Sequence, residues 1–390
     1  MKILFVAADS NPFTKQKGGS SQRTHLLVEA IAQIASVDVA VFANEVISDI
    51  PNCNVIFSRF INVWNLGFNN RIKKIKRLTR PFNPYSFYPV VEEASQEIQR
   101  IINRGQYDYI CVRYLDTVLT CGLLTYADRL IVDVDDYPVD EMKRNANLAH
   151  TMRARIYYYL LGIIMRHSMN QVIDKCRCVF SPTKPQWKNP TTAWLPNIPY
   201  YSKPKQDSIV EHKNSCILFV GGLSFLPNRR GIEHFIQHVY PLILQEIPDI
   251  HFNIVGDCPD EELRIKIEGY TNVKVKGYVE NLMQEYSLCD LCVAPIYAGA
   301  GTNIKVIEAL QMCKPCVVTP SAYRGYEMLK DGEDIIVANN DAEYAQAVIS
   351  LLKSPPKMKM IAQNGYAKYQ KFFSKEYFLK IVKETVLSLS

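Results

Sequence analysis

Residues 291–309 read LCVAPIYAGAGTNIKVIEA. The apolar run at 291–296 has the composition of a buried strand. A loop of small residues follows it, Ala298, Gly299, Ala300 and Gly301, and Thr302 and Asn303 lead into an apolar helix carrying Lys305 and Glu308. Strand, glycine loop and helix together form half of the unit from which parallel sheets are wound. Glycine removes side-chain bulk and lets backbone N–H groups approach a ligand. Those amides and the helix N-terminus favour an anion such as a phosphate. Lys305 and Glu308 stand three apart and so share one helix face. A cation and a carboxylate that reads hydroxyls, beside an amide-lined loop, suit a sugar nucleotide.

The same alternation extends in both directions. The second half offers CILFVGG, HFNIVGD, VKVKGYV, LCVAPI, CVVTP and DIIVANN, with helical patterns between them. The first half offers KILFVAA from Lys2, VDVAVFA from Val37, NVIFSR from Asn54, YICVRY from Tyr109, LIVDVDD from Leu130 and CVFSPT from Cys178. Amphipathic stretches at 24–34 and 90–102 lie between some of these, and helical patterns at 357–372 and 375–387 close the chain. Near-continuous apolar strands separated by helices imply parallel sheets covered on both faces. Residues 187–214 turn polar and proline-rich and read as a linker. The expected fold is therefore α/β, with two Rossmann-like, doubly wound domains facing a central cleft, the default ligand site. The domains are 1–200 and 201–373, with a last helix at 374–390 returning to the first.

A chain of 390 residues, 48% hydrophobic and 22% charged, has the composition of a folded protein with a large core. No apolar run reaches the ~18 residues of a membrane span, and the N-terminus reads as a first strand rather than a signal peptide. The expected location is cytoplasmic. Eleven cysteines fit reduced thiols there. Cys289-x-x-Cys292 and Cys313-x-x-Cys316 match a zinc spacing on paper, but Cys292 and Cys316 fall in strand-like runs, which favours buried core over metal.

The formal charge of +6 is unevenly spread. Arg71, Lys73, Lys74, Lys76, Arg77 and Arg80 fall in one stretch, 71–80. Residues 152–167 mix Arg153, Arg155 and Arg166 with Tyr157, Tyr158, Tyr159, Leu160, Leu161, Ile163 and Ile164. Two readings stand side by side: an anionic membrane surface as partner, or a solvated basic face with an ordinary buried helix. No nucleic-acid-binding module accompanies the charge.

Other turns are candidates for ligand contact. Lys17-Gly18-Gly19-Ser20-Ser21 leads into a helix and either meets a ligand or is a plain turn capped by Ser20 or Ser21. Arg23 and His25 follow it, as ligand contacts or as surface residues. Gly221 and Gly222 end the first strand of the second half, ahead of Arg229 and Arg230, a glycine turn and basic pair that suit a phosphate. Gly256 and Tyr278 end two further strands, where backbone or ring can border a base. Asp133, Asp135 and Asp136 in VDVDD end a strand of the first half. There a carboxylate binds sugar hydroxyls, assists proton transfer or merely caps a loop; a metal is the less favoured role.

The motif order in the second half resembles that of the retaining, GT-B-fold glycosyltransferases of family 4. The segments ILFVGGLSFLPNRRGI, FNIVGD, VKVKGYV, GAGTNIKVIEAL and KPCVVTPSAYRGYEM carry the resemblance, over about residues 215–340. KILFVAA, the Gly18-Gly19 loop with Arg23, and VDVDD match more loosely. The resemblance implies a nucleotide-diphosphate sugar as donor, no cofactor and no metal. Glu308 is then the carboxylate on the donor ribose, Lys305 a diphosphate contact and Gly221 with Gly222 the phosphate loop; Gly299, Ala300, Gly301, Thr302 and Asn303 line the donor sugar. Arg229 or Arg230 stands for the family's basic residues after the phosphate loop, and Asp136 for its active-site histidine. Ala300 replaces the first glutamate of the family's motif. The basic stretches 71–80 and 152–167 suggest an acceptor held at the inner face of a membrane, a lipid-linked glycan in surface polysaccharide assembly. A sugar-nucleotide epimerase and a non-catalytic nucleotide-sugar-binding protein are the alternatives.

Overall fold

The computed structural model describes residues 1–8, 12–13, 19–41, 49–57, 80–135, 137–149, 151–185, 187–199, 215–298 and 302–389. The chain divides into two compact units, one of Met1–Pro196 with Phe378–Ser390 and one of Asn197–Tyr377. Each is wound around a parallel sheet.

The first unit holds β1 (Lys2–Ala7), β2 (Ser36–Val41), β3 (Cys53–Phe57), β4 (Tyr109–Arg113), β5 (Leu130–Asp133), β6 (Cys178–Ser181) and β7 (Thr192–Trp194), in the spatial order β3-β2-β1-β4-β5-β6-β7. All pairings are parallel. The apolar strand runs fix this arrangement, because strands covered on both faces have no side to leave polar. Leu4, Val6, Val112, Val132 and Val179 pack with Ile98 and Ile102 of helix Glu92–Gly105 and with Met165, Met169 and Val172 of helix Met152–Ile173. The proposed linker is corrected here. Its residues Thr192 to Trp194 form β7, paired through Val179↔Thr192 and Phe180↔Ala193. Trp187 Nε1 donates to Thr192 Oγ1 at 3.0 Å, and Trp194 Nε1 donates to the Pro182 carbonyl at 3.1 Å, so two indoles hold the edge strand in place.

The chain returns to this unit at Phe378, within helix Lys375–Leu387. Phe378, Val382, Val386 and Leu389 are buried. The Leu389 carbonyl accepts from Tyr109 Oη at 2.6 Å and Arg177 Nη2 at 2.8 Å.

The second unit holds β8 (Cys216–Val220), β9 (His251–Val255), β10 (Val273–Gly277), β11 (Leu291–Ala294), β12 (Cys316–Val318) and β13 (Ile336–Val337), ordered β10-β9-β8-β11-β12-β13 and parallel throughout. Strand order reverses between β8 and β11, so the connections leaving their carboxyl ends diverge and open a crevice there. Cys289, Cys292 and Cys316 are buried, with Cys292 and Cys316 opposite each other in β11 and β12. Burial pushes all three thiols up, Cys316 to about 12.

Candidate functional site

β8 delivers Gly221 and Gly222 to the carboxyl edge of the second sheet. The turn is pinned from both sides: Gly221 N donates to the Val255 carbonyl at 2.8 Å and Leu223 N to the Asp257 carbonyl at 2.7 Å. Asp257 Oδ2 also accepts from Ser224 N at 3.3 Å. Two positions admit only glycine. At Gly256, φ is +139° and a Cβ would lie 2.4 Å from the Gly221 carbonyl oxygen. At Gly221, φ is +155° and a Cβ would lie 2.7 Å from Asn228 Nδ2 and 3.2 Å from Lys305 Cε. The turn, the next strand's end and Lys305 therefore meet at van der Waals distance.

Helix Ile304–Gln311 buries Val306, Ile307, Ala309 and Leu310 and leaves Lys305 and Glu308 half-buried. Lys305 Nζ donates to Asn228 Oδ1 at 3.1 Å and lies 5.4 Å from the centre of the Phe219 ring. Glu308 Oε2 accepts from Tyr286 Oη at 3.1 Å. Burial lowers the Lys305 ammonium to about 8, against the opposing pull of Glu308 and Cys316. Burial likewise raises the Glu308 carboxyl, against the Tyr286 hydrogen bond and the Lys305 charge. Each group is held in a setting that penalises its own charge, as sites awaiting an oppositely charged or hydroxylic ligand often are.

Gly221, Gly222, Gly256, Lys305 and Glu308 are thus brought to one edge of the second sheet. Thr302 Oγ1 accepts from Asn197 Nδ2 at 2.9 Å, and Asn303 occupies the N-cap of the Lys305 helix without a side-chain capping bond. Arg229 lies 3.8 Å from Glu233 and 3.7 Å from Asp260, and Arg230 is exposed. The Tyr278 ring is 80% exposed. Gly19 opens helix Gly19–Ala32, which puts Ser20 and Ser21 inside the first turn rather than at a cap. Gly18, Asp136, Gly299, Ala300 and Gly301 lie outside the described residues. Asn228 and Tyr286 escaped the sequence reading. The one signal for Asn228 was a polar residue on the first turn after Pro227, and Tyr286 gave none.

At the carboxyl edge of the first sheet, Arg23 is fully engaged rather than a surface residue. Its Nε and Nη2 fork onto Asp133 at 2.8 and 2.6 Å. Arg113 Nη2 donates to Asp135 at 2.7 Å, its Nη1 donates to Thr24 Oγ1 at 2.8 Å, and its Nε lies 3.1 Å from Asp133. Arg113 and Asp133 are completely buried, so charge-assisted hydrogen bonds hold this clamp within the first unit. His25 is buried too, with Nδ1 3.0 Å from the Pro12 carbonyl.

Helix Met152–Ile173 is not an ordinary buried helix. Met152, Ile156, Tyr157, Tyr159, Leu160 and Ile163 are exposed, while the buried side begins at Gly162. No acidic residue occurs from 152 to 173. The exposed Phe82 ring meets His167 edge-on, with centroids 5.3 Å apart. Of the basic stretch 71–80, only Arg80 is described. Among the described residues no helix is long and apolar enough to cross a membrane.

Two parallel-sheet α/β units with these strand orders are the architecture of GT-B glycosyltransferases. The fold matches sucrose-phosphate synthase from Thermosynechococcus elongatus over 100% of this chain and 98% of that one, with a TM-score of 0.71 at 16% identity. It matches Anabaena HepE in complex with UDP and glucose over all of both chains, with a TM-score of 0.61 at 15% identity. WaaG, a glycosyltransferase involved in lipopolysaccharide biosynthesis, matches over 100% of this chain and 99% of its own, with a TM-score of 0.58 at 14% identity. Residues 214–354 match the family model of glycosyl transferases group 1. Among curated relatives, an uncharacterized 44.6 kDa protein in the cps region of Klebsiella pneumoniae is 26% identical over 405 residues, covering 98% of this chain and 99% of the relative.

Proposed function

We propose that the protein transfers a sugar from a nucleotide-diphosphate donor to a hydroxyl of an acceptor. The observation that carries this reading is Lys305, a half-buried ammonium held by a neutral amide beside the Gly221-Gly222 turn, inside the stretch that matches glycosyl transferases group 1. In the reaction the bond from the anomeric carbon to the diphosphate oxygen breaks and its electron pair leaves with the diphosphate, while the acceptor hydroxyl oxygen bonds to that carbon and its proton passes to the departing diphosphate. Negative charge grows there, where a fixed cation and backbone amides stabilise it most in a partly desolvated site. Glu308, held by Tyr286, takes the donor's ribose hydroxyls. Retention of anomeric configuration follows from the family 4 resemblance, and Lys305 fills the role that a divalent metal plays in other transferases. The cps-region relative, and the part of WaaG in lipopolysaccharide biosynthesis, support a surface-glycan acceptor, free or lipid-linked. The UDP in the HepE complex supports a nucleotide-sugar donor. The exposed face of helix Met152–Ile173 supports docking at an anionic membrane.

The test is release of nucleoside diphosphate from a panel of nucleotide sugars, with chelator present and with acceptor glycolipids added. Lys305→Ala is expected to lower turnover by about 10²–10³, the scale on which removing one transition-state stabiliser acts, with an unchanged circular dichroism spectrum. Full activity in that variant overturns the assignment.

A further inference from the structure

Lys305 has one hydrogen-bond partner among the described residues, and that partner is a neutral side chain. A half-buried ammonium is ordinarily matched with a carboxylate; Glu308, three residues along the same helix, accepts instead from Tyr286. Asn228 is itself buried, on the first turn of helix Leu226–His234. Its Nδ2 donates to the Gly222 carbonyl at 2.8 Å and its Oδ1 accepts from Lys305 at 3.1 Å. The two partners fix which end of the amide is which: a carbonyl needs a donor and an ammonium needs an acceptor. One planar group therefore ties the phosphate-loop candidate to the cation, and the missing Cβ of Gly221 is what lets it lie across the turn.

We propose that Asn228 is a positioning residue that holds Lys305 against the glycine turn without pairing it to a hydrogen-bonded carboxylate, so that its charge stays available to the donor's diphosphate. This rests on the glycosyltransferase reading of the same site. A carboxylate of the same shape would hold Lys305 equally well but neutralise it, and would set a negative oxygen against the Gly222 carbonyl. An aliphatic side chain would release it. Asparagine is the side chain of this size that does neither.

The groups around Lys305 set what a titration reads. Glu308 on its own helix and Cys316 on β12 face it, Phe219 of β8 presents a ring, and Asn228 comes from helix Leu226–His234. Lys305 is charged below about 8, so affinity for a nucleoside diphosphate falls as pH rises past that value. The experiment is calorimetric titration of the full chain with UDP, with ADP and GDP in parallel, between about pH 6.5 and 9.5, roughly the span over which a lysine lowered to about 8 titrates. Asn228→Ala is expected to weaken binding at neutral pH by about tenfold, the scale of a hydrogen bond to a charged group. Asn228→Asp is expected to weaken it at least as much while moving the fall in affinity to higher pH, because the carboxylate stabilises the ammonium. In a Lys305→Met background, Asn228→Ala is expected to cost little further affinity. Either a wild-type pH profile in Asn228→Asp, or fully additive losses in the double variant, overturns the positioning role, whatever happens to thermal stability. If the wild-type chain binds none of the three nucleotides, the donor reading falls first and takes this inference with it.

Discussion

Glu308 is the residue whose chemistry depends most on a neighbour the sequence did not announce. Burial raises its carboxyl, while the Tyr286 hydroxyl and the Lys305 charge hold that rise in check. An ionised carboxylate accepts donor hydroxyls more strongly than a protonated carboxyl, so activity is expected to fall as pH drops through the raised value, with the acid limb of the rate profile above that of an ordinary glutamate. Tyr286→Phe removes a hydrogen bond that favours the ionised form. The acid limb should then move further up, and KM for the donor should rise by about three- to tenfold, in line with one hydrogen bond lost. A pH-rate profile of this variant that superimposes on the wild type would detach Tyr286 from the site. Lys305 and Glu308 were legible in the sequence because a charged pair on an apolar helix stands out. Asn228 and Tyr286 were not, because a polar or aromatic residue acquires a partner only when distant segments meet: Asn228 is 77 positions from Lys305, and Tyr286 is 22 from Glu308. The same holds for Arg113, whose partners Thr24 and Asp135 come from another helix and from the end of another strand.

At the scale of elements, the strands were readable wherever both faces are covered, since continuous apolar runs such as ILFV in β1 and CILFV in β8 leave little else to choose. β7 was lost because its three residues sit between prolines in a polar stretch, and its place is fixed by two tryptophan hydrogen bonds rather than by an apolar run. Helix Lys375–Leu387 poses a sharper question, since its buried residues Phe378, Val382 and Val386 belong to the first unit although the chain reaches them from the second. Phe378 is fully buried, and the Arg23 guanidinium carbon stands 5.8 Å from its ring centre. Truncating such a ring leaves a cavity. Phe378→Ala should therefore cost about 3–5 kcal/mol of stability, read as a lowered urea midpoint at unchanged slope. A loss under about 1 kcal/mol, within the ordinary range for unremarkable positions, would mean the helix is dispensable to that unit.

For the molecule as a whole, the formal charge of +6 and the exposed apolar stripe are features of one surface question. Met152, Ile156, Leu160 and Ile163 recur at helical spacing along the exposed side of helix Met152–Ile173, and the aromatic rings of Tyr157 and Tyr159 flank them. Arg153 and Arg155 interleave at the same end, and Phe82 continues the apolar surface at the His167 end, next to Arg80. Exposed apolar residues with interleaved cations and no acid match a bilayer of anionic lipid, which offers hydrocarbon and negative charge together. The full chain should sediment with vesicles of phosphatidylglycerol and phosphatidylethanolamine, and much less with neutral phosphatidylcholine vesicles. Raising salt to about 1 M, where the Debye length falls to roughly 3 Å, should release a large part of it. Replacing Ile156 and Leu160 with Glu removes apolar burial worth about 1.5–3 kcal/mol per side chain and adds repulsion, so binding should fall by more than tenfold while nucleotide affinity stays as it was. A pair of substitutions that leaves vesicle binding intact but turns a dimer into a monomer would assign this face to a second copy of the chain instead. The two proposed properties are separable by construction, because Lys305 and Glu308 belong to the second unit and helix Met152–Ile173 to the first. Loss of vesicle binding with full donor turnover on a soluble acceptor is the outcome that a membrane-bound acceptor requires.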